Sequence, residues 1–205
     1  MLSPGRMQAP PVRGRLRHHQ AREANMTRLH PLLLAGSVLL AVAGPGWAQD
    51  DAALIASAES AAPAALAANA TIYGMDESGA MTTLREGTNG WWCMPDVEAT
   101  PGPDPMCGDA NSMEWAMAWL GQTEPPEGKV GFIYMLQGGT DASNTDPYAT
   151  EPTEGGDWIS TGPHVMVVNA MDMMAGYPEG AEPDPTQPYV MWAGTPYAHL
   201  MLPVE

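Results

Sequence analysis

KVGFIYMLQ, residues 129 to 137, is the stretch whose reading decides the fold. Val130, Phe132, Tyr134 and Leu136 alternate with Gly131, Ile133 and Met135, and both alternating sets are apolar or small. A strand with one wet face is apolar only at every second position. One that is apolar on both sets is covered from above and below. The stretch therefore predicts a central strand, and the main helix is expected against one face of its sheet.

Similar segments lie downstream. HVMVVNA (164 to 170) and YVMWAG (189 to 194) are rich in β-formers, and AHLMLPV (198 to 204) is a further candidate. Upstream, ATIYGMD (70 to 76) and AMTTLRE (80 to 86) flank Glu77-Ser78-Gly79 and read as a hairpin. DANSMEWAMAWL (109 to 120) reads as the main helix, with Asp109 as N-cap and Gly121 at the stop. Met113, Met117 and Leu120 share one of its faces, and Trp115 and Trp119 stack one turn apart beside that face. Residues 50 to 68 are alanine-rich and read as one or two short helices or a partly ordered lead-in, with Pro63 suited to an opening turn. The expected class is α+β: a small, mostly antiparallel sheet with one main packed helix and long disulfide-tied loops. Residues 49 to 68 form a helical lead-in, and 69 to 205 a single domain.

Residues 26 to 48 carry the pattern of a secretory signal peptide. Arg28 is the basic start, Leu32 to Ala43 an apolar run of 12 residues, and Gly46 and Ala48 the small residues before a cleavage point. Twelve residues span ~18 Å as a helix, short of a ~30 Å hydrocarbon core. Residues 1 to 25, with Arg6, Arg13, Arg15, Arg17 and Arg22, read as an over-extended gene start ahead of Met26. Six of the 8 basic residues and one of the 24 acids precede residue 49, which leaves Arg85 and Lys129 against 23 acids, a formal charge of −21. Such a polyanion repels nucleic acid and anionic lipid. The expected protein is acidic, periplasmic or secreted, and not inserted in a membrane after cleavage.

Both cysteines lie in GTNGWWCMPDVEATPGPDPMCGDA (87 to 110). An even count in an exported chain predicts a Cys93–Cys107 disulfide. Closing that ring of 15 residues removes ~3 kcal/mol of unfolded-chain freedom. Pro95, Pro101, Pro103 and Pro105 deny the ring a ladder, so the covalent tie is expected to stand in for hydrogen bonds.

The chain contains no GxSxG, GxGxxG, HExxH or phosphate-cradling motif, so no catalytic residue, cofactor or metal is assigned. Candidate ligand-binding residues are Asp141, Ser143, Asn144 and Asp146, in the polar loop MLQGGTDASNTDPYAT (135 to 150) that follows the central strand. His164 and His199 each open an apolar run, which would set them at equivalent ends of neighbouring strands as a histidine pair or with an acid. Trp192 joins Trp91, Trp92, Trp158, Tyr148 and Tyr197 as aromatic candidates. The loop departs from the calcium pattern, because Thr145 holds its fifth place and Asp146 its sixth, where glycine belongs. Met171, Met173 and Met174 are soft donors for Cu(I), while Met113, Met117 and Met135 read as core filler.

REGTNGWWCMPD, DPMCGD, MLQGGTDASNTDPYAT and VMWAGTPYAHLM together resemble a group of exported bacterial proteins of no established activity, over most of residues 60 to 204. The resemblance implies a single domain in the bacterial envelope and carries over no catalytic or binding residue. The expected function is a non-enzymatic module for a small ligand or an envelope protein. The alternatives are a hydrolase using His164 or His199 with Asp141 or Asp146, or a periplasmic calcium or copper binder.

Overall fold

The computed structural model describes residues 46 to 76 and 78 to 204, with side chains from residue 51 onward. Residues 1 to 25, and all but the last three residues of the expected signal, lie outside the described residues. The chain runs α1 (Gly46–Glu59), α2 (Ala64–Ala67), β1 (Thr71–Met75), β2 (Met81–Arg85), β3 (Trp92–Met94), β4 (Met106–Gly108) and α3 (Ala110–Leu120). It continues through β5 (Gly131–Met135), β6 (Gly139–Asp141), β7 (Ile159–Thr161), β8 (His164–Val168), a 3-10 turn (Met171–Met174), β9 (Tyr189–Met191) and β10 (His199–Pro203).

Eight strands form one sheet in the order β2-β1-β3-β4-β5-β8-β10-β9, and β6 pairs with β7 apart from it. Every neighbouring pair is antiparallel except β1–β3. The sheet is thus mixed, mostly antiparallel, and large rather than small. β5 is interior, between β4 and β8, as expected of a central strand, although only one of its apolar sets is fully covered and Phe132 on the other is 43% exposed.

Two helical layers cover the sheet. α1 lies over β1 to β4, and α2 packs beside it. Ala58, Ala61, Ala62, Ala67 and Ala70 bury against Ile72, Cys93 and Cys107; with methyl side chains, the helices lie close to the strands. A second packed helix therefore stands where one main helix was expected. α3 covers the opposite face, over β4 and β5.

α3 has the expected caps: Asp109 accepts from Ser112 N at 2.8 Å, and Gly121 closes the helix. Its buried face differs from the expected one. Ser112, Trp115 and Ala118 turn inward, while Met117 is 47% and Leu120 62% exposed. The reason lies in the strands beneath. A Cβ on Gly131 would stand 2.4 Å from Ser112 N, and one on Gly108 2.2 Å from Ser112 Oγ. Two glycines let the helix rest on the sheet through Ser112, which rotates the tryptophans into the core. Trp92 secures the contact by donating to the Asp109 carbonyl at 2.9 Å and to Ser112 Oγ at 3.2 Å.

The disulfide Cys93–Cys107 is present. Contrary to expectation, a ladder does run at the ring's ends. β3 and β4 pair antiparallel, with Cys93 directly opposite Cys107, and the prolines interrupt only the residues between the strands. Among the described residues no helix is long and apolar enough to cross a membrane.

Candidate functional site

The loop that leaves β5 turns into β6 and runs to residue 150 over the α3 face. Together with the C-terminal turn of α3 and the chain after β9, it bounds a cleft of about 250 Å³. Trp119, Trp158 and Trp192 wall it, Asp141, Ser143 and Asp146 line it from the loop, and Ala99 and Thr100 enter from the disulfide-tied ring. A second depression of about 600 Å³ adjoins it across Ala142, Ser143 and Trp158, built of turn residues such as Pro152, Gly155, Gly156 and Pro183.

Trp192 is the most constrained wall. Its φ of 56° lies in the left-handed region, where a bulky side chain costs ~1–3 kcal/mol. Neighbours hold it there. Its backbone N–H donates to the Asn144 carbonyl at 2.7 Å, and its indole N–H to the Ser143 carbonyl at 3.1 Å. Its ring stacks on Trp115 at 6.2 Å and lies 5.2 Å from Trp119. Trp119 is anchored in turn by donating to the Pro147 carbonyl at 3.1 Å.

Asp141 lines the cleft, and Asp104 bonds to the residue before it. Asp104, in the tied ring, accepts from Thr140 N at 2.5 Å and from the Thr100 hydroxyl, and its own backbone N–H donates to Asp96 Oδ1 at 2.9 Å. Burial pushes its carboxyl above the ordinary value, against the pull of the Thr100 and Thr140 bonds. Gly102 makes this approach feasible, since a Cβ there would meet Thr140 Oγ1 at 2.1 Å. Asp141 is pushed up to about 7, first by burial and then by the charge of Asp104. Neither basic side chain of the described residues answers these acids. Arg85 pairs with Glu59 and Lys129 with Glu114.

The other sequence candidates are dispersed. Asn144 is buried as a brace, donating to the carbonyls of Gly180 and Val190 at 2.6 and 3.0 Å. Ser143 Oγ accepts from the backbone of Thr145 and Asp146, and Asp146 Oδ1 from Tyr148 N. The loop's oxygens thus serve its own turns rather than converge. Trp91 packs on Tyr134 beneath the other face of the sheet, and Trp92 is core. Tyr148 meets Tyr197 edge-on at 6.0 Å.

His164 and His199 face the α3 side from antiparallel neighbours, so they sit at opposite ends of the β8–β10 pair: His164 is opposite Pro203, and His199 opposite Val168. Neither lines the cleft. Each donates Nδ1–H to a carbonyl two residues back, Gly162 at 2.7 Å and Tyr197 at 3.0 Å, because a carbonyl can only accept. Each Nε2 is buried without a partner. Burial lowers both, His199 to about 4, so both are neutral at pH 7. His199 is edge-on to Trp192 at 4.9 Å and to Trp115 at 5.3 Å, which makes it a packing element of the tryptophan stack. His164 and Asp104 approach Gly139 from two sides without bonding to each other; a Cβ on Gly139 would lie 3.1 Å from His164 Cε1 and 3.6 Å from Asp104 Oδ1.

Among the described residues no three His, Cys, Asp or Glu converge on a metal-sized point. Met171 and Met173 are exposed on the 3-10 turn. Sequence reading missed Asp104, Thr100 and Trp119. The available signal for Asp104 was PGPDPM, an acid held between two prolines next to a cysteine. No family model, curated protein or solved structure matches the chain.

Proposed function

We propose that this chain is an exported, non-enzymatic binding protein of the bacterial envelope whose small ligand seats in the tryptophan-walled cleft. One observation carries the reading: Trp119, Trp158 and Trp192 wall an open cleft of about 250 Å³ that Asp141 also lines. Apolar aromatic walls with a few polar groups are what small-molecule sites are made of. The volume lies a little below the ~300–1,000 Å³ of sites for drug-sized ligands, which favours a small one. The signal-like segment, the acidic composition, the disulfide and the resemblance to exported proteins support the envelope. A His-acid hydrolase has less support, since both imidazole N–H groups are spent on backbone carbonyls and neither imidazole is bonded to a carboxylate.

The test is tryptophan emission and melting temperature across a panel of monosaccharides, amino acids, organic acids and alkylammonium salts. The expected result is a saturable emission change and a raised melting temperature with one class, both lost in Trp158→Ala. A flat response across the panel overturns the reading.

A further inference from the structure

We propose that the cleft selects a small organic cation with an alkylated ammonium head. This rests on the binding reading above and adds the ligand's chemical class.

The walls are indoles, the best of the aromatic faces for a cation, and Asp141 and Asp146 line the same space. Asp104 lies behind Asp141, in the tied ring. No lysine or arginine lines the cleft, and the two in the described chain are paired with Glu59 and Glu114. The fold thus places carboxylates beside a tryptophan-walled cleft and supplies no positive group of its own. The residues after 48 carry 23 acids against 2 basic side chains, a field that draws cations to the cleft and repels anions.

Competing chemistries fit less well. A metal ion wants several converging oxygens, and no such group of three occurs among the described residues. A neutral sugar can stack on indole but leaves the Asp141 charge unanswered. An alkylammonium head answers both walls and floor, because its methyl groups pack on tryptophan while its charge faces the carboxylates.

The titration of Asp141 adds a linkage. The titratable groups facing it are Asp104 from the tied ring and Tyr189 from β9, whose hydroxyl is bonded to Thr161 at 2.7 Å and pushed up to about 12. Both of these work against ionised Asp141 or remain neutral. A bound cation favours the ionised form, so binding releases a proton near neutrality and tightens as pH rises through about 7.

The experiment titrates the full chain with choline chloride at constant ionic strength and reads tryptophan emission. The control ligand is choline's uncharged carbon isostere, with a tert-butyl group in place of the trimethylammonium head. Choline is expected to saturate the signal and the isostere to bind at least about tenfold more weakly. Asp141→Asn and Trp158→Ala are each expected to weaken choline about tenfold, while Trp91→Ala, on the opposite face, leaves it unchanged. Wild type is expected to bind more tightly at about pH 8 than at about pH 6, and Asp141→Asn equally at both. Far-UV circular dichroism confirms that each variant is folded. Equal affinity for choline and its isostere, or silence with choline while another class in the panel binds, overturns the cation inference and leaves the binding reading standing. Silence with every class overturns both.

Discussion

Over β1, β3 and β4 the sheet is covered by α1 and α2, through alanines, Ile72 and a buried disulfide. Over β5, β8 and β10 it is covered by α3 and the long loops, through tryptophans, methionines and two histidines. The first face is small, apolar and covalently closed. The second holds Trp115 Nε1, His164 Nε2 and His199 Nε2 buried without partners, and Asn144 Oδ1 joins them in the loop that braces Trp192. It also holds the left-handed Trp192 and the raised carboxyls of Asp104 and Asp141. Unanswered polar groups and strained backbone are costly, and they gather where a fold serves something other than its own stability. The difference supports the proposed division, with scaffold on one face and ligand binding on the other. The tied ring joins them: Cys93 and Cys107 belong to the first face, while Thr100 and Asp104 reach the second.

The largest effect should come from Trp115→Ala. Removing a buried indole stacked on Trp119 and Trp192 is expected to cost ~3–5 kcal/mol in urea unfolding and to diminish near-UV circular dichroism. A loss under about 1 kcal/mol would mean that the stack is loose and the second face is no true core. Next, the double variant Cys93→Ala/Cys107→Ala should lose ~3 kcal/mol, the loop-closure contribution of its 15-residue ring. Because the ring carries Ala99 and Thr100 to the cleft and Asp104 to the Thr140 backbone, this variant should also weaken ligand response more than its stability loss explains. An unchanged response would separate the two faces entirely.

The disulfide of the first face and the longer strands were legible in the sequence; the packing of α1 and α2 over that face and the β3–β4 ladder were not. β5 announced itself because both of its alternating sets are apolar, and α3 because Asp109 and Gly121 mark its ends. The inward face of α3 was not legible. Met113, Met117 and Leu120 form the tidier stripe, and only Gly108 and Gly131, from two different strands, decide that Ser112 goes down instead. β3, β4, β6 and β7 have three residues each, too few to show a period, and their registers come from tertiary partners. The polar loop after β5 was readable as a candidate because its acids follow a strong strand, and of those acids Asp141 and Asp146 line the cleft. Asp104 was not, since 36 positions separate it from Thr140, which it accepts from.

Smaller effects distinguish the faces by pH. Asp141, raised in the folded state to about 7, binds a proton there that the unfolded chain has released. Its contribution is fully present below about pH 4 and lost as pH rises through about 7. His199, lowered to about 4, acts in the opposite sense: its contribution is present above about pH 6.5 and lost as pH falls through about 4. The stability of wild type minus that of Asp141→Asn should therefore fall from pH 4 to 7, and that of wild type minus His199→Gln should rise from pH 4 to 6.5. Glu59→Gln, which breaks the partly exposed pair with Arg85 on the other side, should change stability by no more than ~1 kcal/mol. Flat difference curves for both Asp141 and His199 would erase the contrast between the faces.

The most direct test of an unanswered carboxylate in the cleft is the titration of Asp141 itself, by side-chain ¹³C NMR with Asp141→Asn for assignment. A midpoint of about 7, moving down when choline is added, is the expected result. A midpoint near the ordinary ~3.9, unmoved by choline, would contradict it.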